Sequence, residues 1–292
     1  MPRMREPGGT PQAMALGAAL RELRQSSGLS QHQVAQQTGL EKSSIGRWER
    51  GDRVPRPEDT ATYLAAVHCS PTEREELLSM TRDAAHDDSS WVTTGIPDGA
   101  KARAALQRFE SLALHITDAE PLLIPGLLQT SEYARAMMSA GGIPATEIEP
   151  RLQLRSQRQG ILSGATPKAL TVFLGAGALD QQIGGPAVMA AQLRQLVELG
   201  KRPNIVVRVV PHAAGWTPLL EGSFVLFEFH KGVHIVHLEH HRSSLFLHRQ
   251  SDVAAYQRAA VSLGTIAMAE TTSLDLVADR ARTLEATCRE SS

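Results

Sequence analysis

Cysteine is close to absent from this chain. Cys69 and Cys288 are the two it holds in 292 residues, and their separation forms no metal-ligand spacing. That favours a reduced, cytoplasmic protein over a disulfide scaffold. No apolar run approaches the ~18 residues of a membrane span. Met1 to Gln12 lacks the apolar core of a secretory signal, so export is not expected. Catalytic signatures are missing too. There is no GxxxxGK[ST] phosphate loop, no GxSxG elbow and no HExxH pair. Gly175-Ala176-Gly177 begins like a dinucleotide loop, but Asp180 stands where the third glycine is needed. The expectation is a protein that is not an enzyme, with no cofactor and no metal. Charge of one sign is not in excess overall, at −1, yet it is unevenly spread. Residues 1–57 hold nine Lys/Arg against five Asp/Glu, leaving −5 for the rest. A basic head on an acidic body points to nucleic acid at the head.

Length and hydrophobic content, 292 residues and 42%, suit two globular domains. Residues 1–11, with four Pro and Gly among the last five, read as a flexible tail. Arg3 and Arg5 within it have the chemistry of a minor-groove arm, though a free terminus explains them as well. Residues 12–85 read as a five-helix domain. Leu16, Ala19, Leu20 and Leu23 recur at helical spacing before Gly28. Ser30 with Gln33 forms a capping box for a second helix. A third runs from about Glu41 to Arg50, a fourth from about Glu58 to His68, and Pro71 with Glu73 opens a fifth. Residues 86–99 are polar and turn-rich and read as a linker, with Trp91 docking on a neighbouring domain. Residues 100–292 read as mixed α+β. Helices are predicted over 100–117, 131–140, 147–162, 186–200, 251–268 and 273–287. Strands are predicted over 168–174, 204–210, 223–229 and 233–239. His230-Lys231-Gly232 suits a hairpin turn between the last two strands.

Gln31 to Trp48 answers the geometric demands of a helix-turn-helix. Ala35 is small where two helices cross. Gly39 supplies the positive φ of a tight interhelical turn. Ile45 and Trp48, three apart, plug one face of the second helix into the core. Such a unit places that helix in the major groove. Lys42, Ser43 and Arg47 then face base edges, with Lys and Arg suited to guanine O6/N7. Gln31, Ser44 and Arg50 suit phosphate contacts that set register.

These residues resemble the Xre/Cro-type helix-turn-helix family. The likeness runs from Leu16 to about Ala66 and rests on Gly28-Leu29-Ser30-Gln31, Val34-Ala35, Thr38-Gly39, Ile45, Trp48-Glu49, Gly51 and Pro55. It implies a partly buried ion pair between Arg24 and Glu49. Glu41 departs from the usual Ser or Thr cap, which implies a less well fastened start to the recognition helix.

Beyond the head, Ile124-Pro125-Gly126-Leu127-Leu128-Gln129-Thr130, then Glu132-Tyr133-Ala134, spells an extended X-Pro entry, a turn and a helix. Gln129, Thr130 and Tyr133 there suit either a recognition edge for an effector or partner, or a packing elbow. The stretch is similar to the C-terminal domain of an actinomycete, antitoxin-like regulator family of the WhiJ type. Trp91, Phe109-Glu110, Arg155, Gln192-Leu193 and Gly222-Ser223-Phe224 extend the likeness. It implies a transcription regulator that a small acidic protein encoded nearby modulates. Members often carry a glutamate where this chain has Gly175-Ala176. Six of eleven histidines fall between His230 and His248. Surface and hairpin positions explain them better than a metal site, since His234 and His237 lie on opposite faces of a strand.

The leading expectation is thus a regulator that binds double-stranded operator DNA as a homodimer. Two readings compete with it: an enzyme fused to a DNA-binding head, and a partner-holding module whose DNA binding is autoregulatory.

Overall fold

The computed structural model describes residues 10–85, 90–94, 99–164, 166–229, 232–241 and 243–290. The chain divides into two compact units, Met1–Phe109 with His240–Gln250, and Glu110–Glu239 with Ser251–Ser292.

The first unit opens on five helices: α1 (Pro11–Ser26), α2 (Gln31–Thr38), α3 (Lys42–Glu49), α4 (Pro57–Ala66) and α5 (Pro71–Ala85). Each start has a local cause. Thr10 caps α1 by accepting from Ala13 N at 3.1 Å, and Pro11 occupies its first turn. The helix therefore begins inside the stretch expected to be tail; the remainder of that tail, with Arg3 and Arg5, lies outside the described residues. Ser30 and Gln33 close the expected capping box on α2, and Gly39 ends that helix at φ 72°. Glu41 makes no side-chain capping bond to α3, as its departure from Ser or Thr implied. Leu16, Leu20, Val34, Ile45, Trp48, Tyr63 and Leu64 are buried together as the core. The tightest approach falls at Gly17, where a Cβ would stand 2.3 Å from the carbonyl oxygen of Trp48. Only glycine lets α1 lie on the end of α3 in this way.

The expected linker is not featureless. Ser90–Thr94 forms β1, and α6 (Gly99–Leu112) follows. β1 pairs antiparallel with a strand of the same unit, Ser243–Leu247, that periodicity did not reveal. The side chain of Trp91 lies outside the described residues.

The second unit runs β2 (His115–Glu120), α7 (Ser131–Ala140), α8 (Ala145–Gln159), β3 (Ala169–Gly175), α9 (Pro186–Gly200), β4 (Ile205–Val210), β5 (Phe224–Glu228) and β6 (His234–His240). The Ser243–Leu247 strand is β7, and α10 (Gln250–Ile266) and α11 (Glu270–Glu290) complete the chain. The sheet of this unit has the order β6-β5-β2-β3-β4. β2, β3 and β4 are parallel, while β5 runs antiparallel to both β2 and β6. The architecture is the expected one, a helical head followed by a mixed α+β body. One boundary needs correction. The helix expected over 100–117 stops at Leu112, and His115–Glu120 becomes the central strand. Ile116, Thr117, Asp118 and Ala119 are all buried there, so pairing on both edges overrides the helical pattern. Residues 230 and 231 of the expected hairpin turn lie outside the described residues; Gly232 has φ 72°.

Candidate nucleic-acid interface

The reading helix is held by one carboxylate. Glu49, the last residue of α3 and 2% exposed, faces Arg24 of α1, 8% exposed. Arg24 Nε donates to Glu49 Oε1 at 2.7 Å and Nη2 donates to Oε2 at 2.9 Å. Arg24 Nη1 donates to the Leu29 carbonyl at 2.6 Å, fastening the start of the turn as well. Tyr63 of α4 donates to Glu49 Oε1 at 2.8 Å, and Gln31 Nε2 donates to Oε2 at 2.8 Å. Burial alone would raise the Glu49 pKa. The bonds from Arg24, Gln31 and Tyr63 outweigh it and hold the carboxyl below its ordinary value. Four helices thus converge on one anion, and α3 is fixed as a rigid blade.

The outer face of that blade brings the expected reading residues together. Lys42, Ser43, Arg47 and Arg50 are exposed and Ser44 is half-buried. With Gln31 and Gly46, four of them line an open concavity of about 470 Å³: Lys42, Ser43, Arg47 and Arg50. Gly46 escaped sequence reasoning. A Cβ there would meet Arg50 Nη1 at 3.2 Å, so its lack of a side chain leaves room for the arginine. Arg47 Nη2 donates to Ser44 Oγ at 3.2 Å, and Arg50 Nε donates to Asp52 Oδ2 at 2.8 Å. Both arginines are thereby steadied without being buried. Gln31 has a further role: one N–H of its amide donates to Glu49, so the residue also positions α3 while lining the concavity.

Comparison with known proteins agrees with this geometry. Residues 15–77 match a family model described as a helix-turn-helix domain. Residues 103–279, more than half the chain, match a domain of unknown function, DUF5753. The chain belongs to the DUF5753 family. No curated protein matches it. Among solved structures, it is similar to TrmBL2, an archaeal chromatin protein whose structure shows a novel mode of DNA binding. That likeness has 12% identity and a TM-score of 0.31, covering 67% of this chain and 60% of the other. The chain therefore spans less than two thirds of that protein's length. Among the described residues, no helix is long and apolar enough to cross a membrane.

In the DUF5753 portion, the elbow turns inward and serves packing. Gln129 is 6% exposed and Tyr133 fully buried, so neither forms an exposed edge. Gln129 Nε2 donates to the Ile124 carbonyl and its Oε1 accepts from Arg155, both at 2.8 Å. Thr130 caps α7 by accepting from Tyr133 N, while its own N–H donates to Gln192 Oε1 at 2.6 Å. Gln192 Nε2 in turn donates to the Leu128 carbonyl. The polar side chains of the elbow replace water for a backbone that makes few bonds of its own.

Beside the elbow lies a buried charged cluster that periodicity gave no hint of. Arg158 of α8 donates to both oxygens of Glu110, from Nε at 2.8 Å and Nη2 at 2.6 Å. Asp118 of β2 is 6% exposed, and its Oδ1 has no hydrogen-bond partner among the described residues. Burial first, then the charges of Glu110 and Glu239, push its carboxyl up to about 7. Burial and Asp118 push Glu120 up to about 9. His237, expected at a surface, is 3% exposed, and burial beside Arg158 pushes it down to about 4. Among the described residues, no three His, Cys, Asp or Glu side chains converge to hold a metal ion.

Proposed function

We propose that this protein is a sequence-specific, DNA-binding transcription regulator of Xre type that acts in the cytoplasm. The observation that carries the reading is the concavity on α3, where Lys42, Ser43, Arg47 and Arg50 gather on a helix locked from behind by Glu49. Lys42, Ser43 and Arg47 meet base edges, and Gln31, Ser44 and Arg50 meet phosphates. One such helix reads only a few base pairs, so two copies bind an operator of inverted half-sites about one helical turn, ~10 bp, or a multiple of it apart. The second unit senses a ligand or a small protein partner and performs no chemistry. A WhiJ-like, antitoxin-like role, in which the second unit mainly grips a small acidic protein, is the alternative within the same frame.

Selection of bound duplexes from a random library tests the reading. Enrichment of an inverted repeat is expected, and Arg47→Ala should relax preference at one base position, weakening specific binding by ~1–3 kcal/mol. Enrichment of a single asymmetric half-site would remove the dimer. An unchanged ratio of specific to random-duplex affinity in Arg47→Ala would remove the assigned register of α3.

A further inference from the structure

We propose that the carboxyl end of β2 is a binding site for an ammonium or guanidinium group, seated against Asp118, Glu120 and Glu239. The placement follows from strand register. Asp118 pairs with Val225 of β5, which pairs with His237 of β6, so the three side chains share one face of the sheet. Glu120 and Glu239 lie two residues further along β2 and β6, on that same face. Val225 therefore lies between Asp118 and His237, with Glu120 and Glu239 one step further along the two outer strands. Val225 is only half-buried although its strand runs between two others, Glu120 is half-buried and Glu239 is exposed, so this end of the face reaches solvent. Asp118 forms the floor, more than nine-tenths buried, with Oδ1 unpartnered among the described residues.

Arg158 and Arg155 of α8 face these acids, and Arg158 offsets part of the Asp118 charge, yet among the described residues no group donates to Asp118 Oδ1. Arg158 directs Nε and Nη2 to Glu110 of α6. Arg155 directs Nη1 to Gln129 and the Gly126 carbonyl, and its Nε has no partner among the described residues. Tyr133 on α7 approaches Glu120, and His237 is held in its uncharged form by burial. A buried carboxylate oxygen without a donor is costly, and a ligand N–H would satisfy it. Among the described residues, no three His, Cys, Asp or Glu side chains are placed to hold a metal ion. A polyatomic cation, with N–H groups pointing several ways at ~2.7–2.9 Å from each oxygen, fits acids spread over two strands. In its absence Asp118, pushed up to about 7, is partly protonated at neutral pH and Glu120, pushed up to about 9, holds its proton, and the cation would displace these protons.

Calorimetric titration of the full chain without DNA tests this, using propylammonium and methylguanidinium, with tetramethylammonium as a cation that has no N–H donor. Saturable binding by at least one of the first two is expected, with proton release seen as a dependence on buffer ionisation heat. Affinity should rise between pH 6 and 8, and tetramethylammonium should not compete. Asp118→Asn should weaken binding roughly tenfold or more while leaving the melting temperature equal or higher, since it removes an unpartnered buried acid. Failure of both cations to bind, or unchanged affinity in Asp118→Asn, overturns the site. If Asp118→Asn does not fold, Glu239→Gln at the exposed rim decides, and unchanged affinity there overturns it equally. Because no DNA is present, failure here leaves the reading of α3 untouched.

Discussion

Replacing Glu49 by glutamine keeps the shape of the side chain and removes its charge, so it isolates what holds the reading helix. The carboxylate accepts four bonds: two from Arg24 and one each from Gln31 and Tyr63. Glutamine offers one oxygen and one NH2 group. The NH2 must face either Arg24 Nε and Tyr63 or Arg24 Nη2 and Gln31, so donors meet a donor at one end in either orientation. Arg24, 8% exposed, is then a buried cation without its counter-charge. Breaking a buried pair from one side costs about 3–5 kcal/mol, a large part of the ~5–15 kcal/mol that holds a small domain together. Hydrogen exchange of the full chain reads this locally. Amides of α1 to α4 whose exchange requires opening of the whole helical domain should lose roughly two to four decades of protection. Amides of β3 and β4 provide the internal control and should not change. A loss below about 1 kcal/mol, or an equal loss in both regions, would refute the idea that this carboxylate organises the head.

The same carboxyl has a lowered pKa, so its contribution is complete above the ordinary value of 4.5 and fades as pH falls through the folded value; melting of the head at descending pH should show this, and Glu49→Gln should flatten it. Gly17→Ala should destabilise the head by about 1–3 kcal/mol in the same exchange experiment, because the new methyl would collide with backbone of α3. Arg50→Ala should weaken binding to all sequences alike and reduce the salt dependence by about one charge, measured by titrating duplex at several salt concentrations. In the second unit the signs oppose one another. His237, pushed down to about 4, makes stability rise with pH from there to its ordinary 6.5. Asp118, pushed up from 3.8 to about 7, makes stability fall with pH across that wider window, by a total of order a few kcal/mol. Glu120, pushed up to about 9, adds a fall of the same sign, so urea unfolding followed by exchange in β3 and β4 should show a decline from about pH 6.5 to 9, and Asp118→Asn should make it shallower.

Why the head was legible and the body was not comes down to the range over which each feature is determined. The capping box at Ser30 and Gln33, the positive φ at Gly39, and Ile45 with Trp48 are all settled within four residues of chain. Local rules reach them directly. Gly17 and Gly46 are the head's exceptions, and both are set by backbone or side chains distant in sequence or facing across the helix. β2 shows the opposite case. His115-Ile116-Thr117-Asp118-Ala119-Glu120 places polar residues on both faces, so its alternation gave no inward side, and only pairing with β3 and β5 makes it a central strand. β1 and β7 are each five residues long, and each gains its ladder from a partner some 150 residues away.

The elbow is undecided in the sequence for a related reason, which also separates its residues from Asp118. Polar groups usually are exposed, so Gln129, Thr130 and Tyr133 suit a recognition edge as well as a packing elbow. Burial is tolerated when every polar atom finds a partner, and here the partners were supplied by Arg155 and Gln192, on helices that no spacing rule connects to the elbow. Once those bonds are in place, Gln129 and Gln192 are explained by what they hold, and nothing further is required of them. The same accounting gives Arg158 to Glu110. Among the described residues of the second unit it leaves two atoms over, Arg155 Nε and Asp118 Oδ1, and the oxygen lies where the sheet face opens beside two more acids. A packing role accounts for the satisfied groups of this domain and does not account for that one. The unsatisfied oxygen, and not the elbow singled out by its sequence, is therefore where a ligand for the second unit should be sought.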